Sequence, residues 1–260
     1  MRCAVVGHVE WVEFARVPRM PSAGEIVHAE RVWEEPAGGG AVVARQLALL
    51  AGRCELFTAL GDDAIGRESV ARLAELGIDV HVKWGGTTRR AWTHVDGAGE
   101  RTITVLGDKL LPAGPLPLDE YDLVFFVAGR PDALRSARGA RFVAATVREL
   151  PTLRSADVNL DLLVASANDP GERYDGSLRA RHVAVTNGED GGTLDGAPYA
   201  AAQADRIVDT YGAGDSFAAT LAFALARGDD AGTATRLAAE AGAAVIAGAG
   251  PYEAQLAFRE

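Results

Sequence analysis

Asp209-Thr210-Tyr211-Gly212-Ala213-Gly214-Asp215-Ser216-Phe217 places small residues and a single acid where the chain turns into a helix. From Ser216 to Arg227 the residues are apolar or small and predict that helix, so Gly212, Ala213 and Gly214 stand at its N-terminal mouth. The first turn of a helix leaves backbone N–H groups unpaired, and with the aligned peptide dipoles these attract a phosphate or the negative charge developing on one. Glycine lets the backbone come close to such an anion. Asp215 then stands beside the pocket, where a carboxylate can accept a proton from an attacking hydroxyl while the N–H groups hold the charged group. A tight turn with an acid favouring the first helical turn explains the same letters, so the reading depends on the rest of the chain.

The chain has 260 residues, 48% of them hydrophobic, and a formal net charge of -10. Such an apolar share supplies an ample core and excludes a disordered chain. The negative balance argues against broad contact with a nucleic-acid backbone and suits a soluble cytoplasmic enzyme. Cys3 and Cys54 are too few for a disulfide framework and show no metal-ligand spacing; both read as buried reduced thiols in strands. The run Met1–Gly7 is too brief for a secretory apolar region, and no stretch approaches the roughly 18 continuous apolar residues of a membrane span. The expectation is a cytoplasmic protein that binds neither membrane nor nucleic acid.

Apolar runs and turn residues predict strands at 2–7, 54–60, 122–127, 141–145, 160–164 and 182–186. Helices are expected from Ala41 to Leu50 and, capped by Asp62 or Asp63, up to Leu76. Strands spaced by helices imply parallel crossovers and a three-layer α/β arrangement. Two stretches break that rhythm: Trp11–Trp33 and Val80–Leu106 hold β-rich, alternating residues, with Asp96-Gly97-Ala98-Gly99 as a hairpin turn. They can pair into one small sheet beside the main one. Trp11, Trp33, Trp84 and Trp92 lie in or beside these inserts, either packing a thin sheet or walling a pocket or interface.

DTYGAGDSF resembles the DTxGAGD signature of the ribokinase-like (PfkB) family of small-molecule kinases, and Gly61-Asp62-Asp63-Ala64-Ile65-Gly66 resembles that family's GDDxxG segment. The resemblance spans nearly the whole chain. It implies a three-layer ribokinase-like sandwich with a central, mostly parallel sheet and a small β lid: one domain over residues 1–260, with lid segments at about 9–35 and 80–107. In that family the lid covers the substrate and often serves as a dimer surface. The resemblance also implies ATP-dependent phosphorylation of an alcohol group on a sugar or sugar-like small molecule, with Mg2+ on the ATP phosphates. Asp215 would be the catalytic base, and the backbone of Gly212, Ala213 and Gly214 the anion hole. The GDDxxG segment reads as structural, a carboxylate capping a helix and Gly66 permitting close packing.

The substrate side departs from the family pattern. Gly38 and Gly39 are similar to the family's GG pair, which precedes a helix bringing an Asn to the sugar hydroxyls; here Val43 holds that place. After the first strand the family's Asn and Asp are replaced by Glu10 and Val12. Valine cannot hydrogen-bond a hydroxyl, so either Glu10 has taken over recognition or the acceptor is a nucleoside or another ring-bearing alcohol. Glu10 also reads as a solvated lid carboxylate. Arg101 matches the lid-strand pattern, as a ligand for a phosphate or substrate oxygen or as a solvated arginine.

For the nucleotide, Val183–Gly192 resembles the family's strand and loop, with a hydroxyl from Thr186 and close backbone approach at Gly188 and Gly191; a plain turn explains the same residues. Asn168-Asp169-Pro170-Gly171-Glu172 stands where the family has the NxxE that supports hydrated magnesium, its Glu one residue late. Asp209 with the loop Ala247–Pro251 corresponds to the K+ site of potassium-dependent members, or is a loop cap. A non-catalytic nucleotide- or sugar-binding regulator is the third reading, and an acid kept within an intact GAGD speaks against it. Substrate, cation dependence and oligomeric state stay open, with a homodimer through the lid as the expectation.

Overall fold

The computed structural model describes residues 1–257. Strand β1 (Cys3–Val6) leads into β2 (Glu10–Arg16) and β3 (Arg31–Ala37), then helix α1 (Gly39–Ala51). β4 (Cys54–Leu60), α2 (Ala64–Glu75) and β5 (Ile78–Trp84) follow, and then the hairpin β6 (Arg90–Val95) and β7 (Arg101–Leu106). The second half runs β8 (Leu123–Phe126), α3 (Pro131–Ala137), β9 (Phe142–Thr146), α4 (Leu150–Ala156) and β10 (Leu160–Ser166). It continues through β11 (Ala180–Thr186), β12 (Gly192–Leu194) and β13 (Ala197–Tyr199) to α5 (Ala213–Arg227) and α6 (Ala231–Val245).

Alternation of side chains along each strand builds the layers. In β1, Cys3 and Val5 enter one core with α1, α5 and α6, while Ala4 and Val6 enter a second core with α3 and α4. β8 repeats this with Leu123 and Phe125 on the first side and Val124 and Phe126 on the second. A strand buried on both faces needs apolar residues throughout, which is why these segments read as unbroken apolar runs. The nine strands lie in the order β13-β12-β11-β10-β9-β8-β1-β4-β5, parallel from β11 to β5, with β12 and β13 antiparallel at one edge. The ribokinase-like sandwich expected from the sequence is the architecture found.

A four-stranded sheet, β3-β2-β6-β7, stands beside it. Val12, Phe14, Ala91 and Val95 face Val42 and Tyr211 in a third, smaller core. The lid boundary needs one correction: Val80–Trp84 belongs to β5, which pairs in parallel with β4 from Cys54↔Ile78 to Leu60↔Trp84. β5 closes the main sheet with one face to solvent, so its burial alternates as a lid strand's would. α5 also starts at Ala213, three residues before the predicted helix, because the small residues Ala213 and Gly214 already adopt its first turn.

Asp63 joins the two sheets. As N-cap of α2 its Oδ1 accepts from Gly66 N (2.7 Å) and from the Thr88 hydroxyl (2.7 Å), and Oδ2 accepts from Thr88 N (2.8 Å) just before β6. A β-carbon at Gly66 would stand 2.2 Å from Gly61 O, so the segment is packed as a structural clasp. Asp63→Ala is expected to cost ~2 kcal/mol, a lost cap plus an orphaned amide, as a lowered midpoint in urea unfolding. Among the described residues no helix is long and apolar enough to cross a membrane.

Candidate active site

The candidate residues gather beyond the carboxyl ends of the parallel strands, the crevice where open α/β sheets receive ligands. Gly212 caps α5 with φ +85°, a left-handed conformation that glycine adopts without strain. Among the described residues the amides of Gly214 and Asp215 have no backbone acceptor, and a β-carbon at Gly214 would meet nothing within 4 Å. The α5 mouth is therefore open. Asp209, buried just before it, fixes the turn: Oδ1 accepts from Tyr211 N and Oδ2 from Gly250 N, each at 2.9 Å.

The second glycine loop lies against this mouth. Gly38 N donates to the Tyr211 hydroxyl (3.1 Å), and a β-carbon at Gly39 would stand 3.1 Å from Asp215 Oδ1 and 2.9 Å from Val127 Cγ1. Asp215 thus faces the start of α1 rather than bulk solvent. The carboxyl is half-buried, and its desolvation, with Glu172 adding to it against Arg101 and Arg148, raises its pKa to about 6. The lid reaches the same segment. Thr210 N donates to Gly99 O (3.0 Å), and Arg101 Nη1 donates to Thr210 O (3.0 Å) and to its hydroxyl (3.2 Å).

On the other side of Gly38 stand His8 and Glu10, a β-carbon there lying 3.1 Å from the His8 ring and 3.3 Å from Glu10 Cγ. Glu10 is buried, not solvated, with Oε2 3.1 Å from Arg89 Nε. Burial raises its pKa, against Arg89 and Lys109. His8 is neutral: burial, with Lys109, Arg89 and Arg148 nearby, lowers its pKa to about 3.

A third group lies at the ends of β10 and β11. The Thr186 hydroxyl donates to Ala165 O (3.3 Å), and Gly188, at φ +60°, places its missing β-carbon 3.2 Å from Asn168 Nδ2. Gly191 serves its own turn, since a β-carbon there would stand 2.1 Å from Tyr199 O. Arg148 follows β9 and pairs with Glu172 Oε1 (2.9 Å) and with Asp169. Val43 belongs to none of these groups; it is wholly buried in the main core, as Val12 is in the lid core. Among the described residues no cluster of three or more His, Cys, Asp and Glu is placed to hold a metal ion.

Residues 1–125 and 128–256 match the family described as pfkB family carbohydrate kinase. The chain belongs to the pfkB family of carbohydrate kinases. A relative from Halopiger xanaduensis, named ATP-dependent ribose-1-phosphate kinase, is 32% identical over 247 residues, covering 84% of this chain and 83% of that protein. Among solved structures, one from Agrobacterium tumefaciens provisionally assigned as a ribokinase is 24% identical, covers 98% of this chain and 94% of its own, and superposes with a TM-score of 0.85. The Sinorhizobium meliloti adenosine kinase is 21% identical, with coverage of 96% and 95% and a TM-score of 0.77. These two likenesses carry the fold.

In this pfkB family chain the sequence alone did not point to His8, Arg89, Lys109, Arg148 or the Tyr211 hydroxyl. Arg89 and Arg148 carry a signal in hindsight, each a cation adjoining a strand end; Tyr211 stands inside the family motif itself.

Proposed function

We propose that this pfkB family member transfers the γ-phosphoryl group of ATP to an alcohol group of a sugar or sugar-like small molecule, with Asp215 as base. The observation that carries the reading is Asp215 Oδ1 turned toward Gly39 beside the open amides of α5. The acceptor oxygen attacks the γ-phosphorus in line as the bond to the β-phosphate oxygen breaks, its electrons leaving on ADP. The hydroxyl proton passes to Asp215, and the α5 amides hold the charge on the transferred group. Thr186, Gly188, Gly191 and Asn168 are the candidates for the nucleotide, Glu10, Gly38, Gly39 and Arg101 for the acceptor. Val43, enclosed in the core, lines no open surface in this arrangement.

Mg2+ would arrive with the nucleotide phosphates and neutralise them. Asp169 and Glu172, the acids on that side, already pair with Arg148, so a metal there would compete with this arginine for their oxygens. Asp209 is our candidate for K+, although both its oxygens accept a backbone N–H. Substrate-dependent ADP release, with ATP and Mg2+ and pooled sugars, sugar phosphates and nucleosides, tests the reading; tight nucleotide binding without turnover of any pool would favour a regulator. Ribose 1-phosphate belongs in the pool because it names the Halopiger relative's activity. A nucleoside is the second reading, favoured by Ile103 and Val105, which stay exposed on β7.

An ionised Asp215 is required, and its pKa stands near 6. The rate constant kcat/KM is therefore expected to fall about tenfold per pH unit below about pH 6 and to level off above it. A flat profile down to pH 5 would remove the base assignment. Val32 and Trp92, exposed on the face of the small sheet opposite its core, support a homodimer through the lid. Light scattering should then give twice the chain mass, and half of that value for Trp92→Glu. The free Cys3 and Cys54 thiols accord with a cytoplasmic location.

A further inference from the structure

The chain leaves the main sheet for the small one after β5 and returns from β7 toward β8, and these two connections enclose a cleft of about 240 Å³. None of the nucleotide or acceptor candidates lines it. Lys83, Trp84 and Gly85 come from the outgoing side, Lys109, Leu110 and Leu111 from the returning side, and Arg130 from just past β8. The two connections touch, since a β-carbon at Gly86 would stand 3.2 Å from Leu110 Cδ2. Arg130 N donates to Pro112 O (2.8 Å) and fastens the returning segment to the body. At Gly85 a β-carbon would meet nothing within 4 Å, so the cleft is open there.

The lining is of two kinds. Lys83, Lys109 and Arg130 bring three cations into one cleft of a chain whose net charge is -10. Lys109 is paired with Glu149 (2.8 Å), whereas the exposed Lys83 and Arg130 have no ion pair and no side-chain hydrogen bond among the described residues. Asp132, two positions beyond Arg130, gives its Oδ1 to Ala133 N (2.9 Å). Like charges gathered in this way repel, and an anion placed among them removes that cost. The remainder is apolar: Leu110, Leu111 and the indole of Trp84, which is 43% exposed and has Arg67 5.7 Å from its ring centre. A large ring left open beside free cations offers a stacking face next to a charge site.

We propose that this cleft at the root of the small sheet is an effector site for an organic phosphate with a planar body, of the kind a nucleoside monophosphate represents. The phosphate lies among Lys83, Lys109 and Arg130, and the ring lies against Trp84. A volume at the low end for small-molecule pockets suits a mononucleotide rather than a triphosphate. An occupant that spans the outgoing and returning connections ties the small sheet to the body. Glu10 and Arg101, both acceptor candidates, are carried by that sheet on β2 and β7, so occupation acts on acceptor affinity and not on the chemical step. Binding at the cleft stands by itself; its effect on turnover rests on the kinase reading above.

Calorimetry with AMP and with inorganic phosphate, the ATP site being filled by a non-hydrolysable ATP analogue and Mg2+, is to be run on wild type, Lys83→Gln, Arg130→Gln and Trp84→Leu. AMP should bind about tenfold or more tightly than phosphate, and Trp84→Leu should remove most of that difference. Each glutamine variant should weaken AMP roughly tenfold, the range of a lost charge-assisted hydrogen bond. Both replaced cations are exposed, so these variants should fold as wild type does. Phosphate binding as tightly as AMP, AMP affinity unchanged in both glutamine variants, or AMP displaced by the acceptor found in the pooled assay overturns the site. With that acceptor, AMP should lower KM several fold in wild type at unchanged kcat, and in neither glutamine variant, whose rates without AMP should equal that of wild type. An unaltered KM with AMP bound removes the action through the small sheet. If no acceptor yields ADP the kinase reading falls, and calorimetry alone decides the cleft: AMP binding lost in the variants keeps it, and no binding removes it.

Discussion

Asp215→Asn is expected to lower kcat by about three orders of magnitude while leaving nucleotide affinity within a few fold. Removing a positioned base costs ~10²–10⁴ in rate, and asparagine keeps the shape while losing the ability to take the proton. The same substitution should not weaken the fold. Because the carboxyl is raised from its ordinary value to about 6, the unfolded chain releases between about pH 4 and 6 a proton that the folded chain retains. Stability therefore falls as pH rises through that window, and asparagine escapes the loss. The variant's Tm should equal or exceed that of wild type at pH 8, with the difference closing by pH 4. A variant several degrees less stable at pH 8 would make Asp215 a structural partner, and one that phosphorylates normally would not have lost a base.

Gly212→Ala is expected to reduce kcat by about a hundredfold and to destabilise by ~1–2 kcal/mol. At φ +85° any side chain is strained, and the new β-carbon would lie 3.1 Å from Val42 Cγ1 and 3.3 Å from Pro251 Cβ. The turn must shift, and the amides it aims shift with it; a displacement of ~1 Å at a reacting centre costs ~10² in rate. Gly214→Ala makes the contrast. Its β-carbon meets no atom within 4 Å, and alanine favours a helix by ~1 kcal/mol over glycine. That variant should unfold at a higher temperature yet turn over more slowly, since its methyl group occupies the open space above the amides. Equal activity of both variants with wild type would mean that no anion is held there.

The main sheet was legible because its strands are buried on both faces and its helices end at glycines such as Gly52 and Gly228, both left-handed. The β4 limits, Cys54–Leu60, match the predicted strand for that reason. The lid edge was not legible, because a solvent-facing edge strand of the main sheet and a lid strand share one alternating pattern. Sequence placed Glu10 between recognition and solvation; burial and the contact with Arg89 leave it no solvated role.

What the chain order alone determined is local: a helix mouth of small residues with an acid in its first turn, and an aspartate capping α2. Both follow from backbone N–H groups and side chains a few positions apart, whatever the rest of the molecule does. The tertiary structure decided what no spacing contains. Asp215 and Gly39 are far apart in sequence, as are Glu10 and Arg89, and Arg148 and Glu172. Their meeting, and the pKa that follows from it, exists only once the parallel strands bring their carboxyl ends to one side.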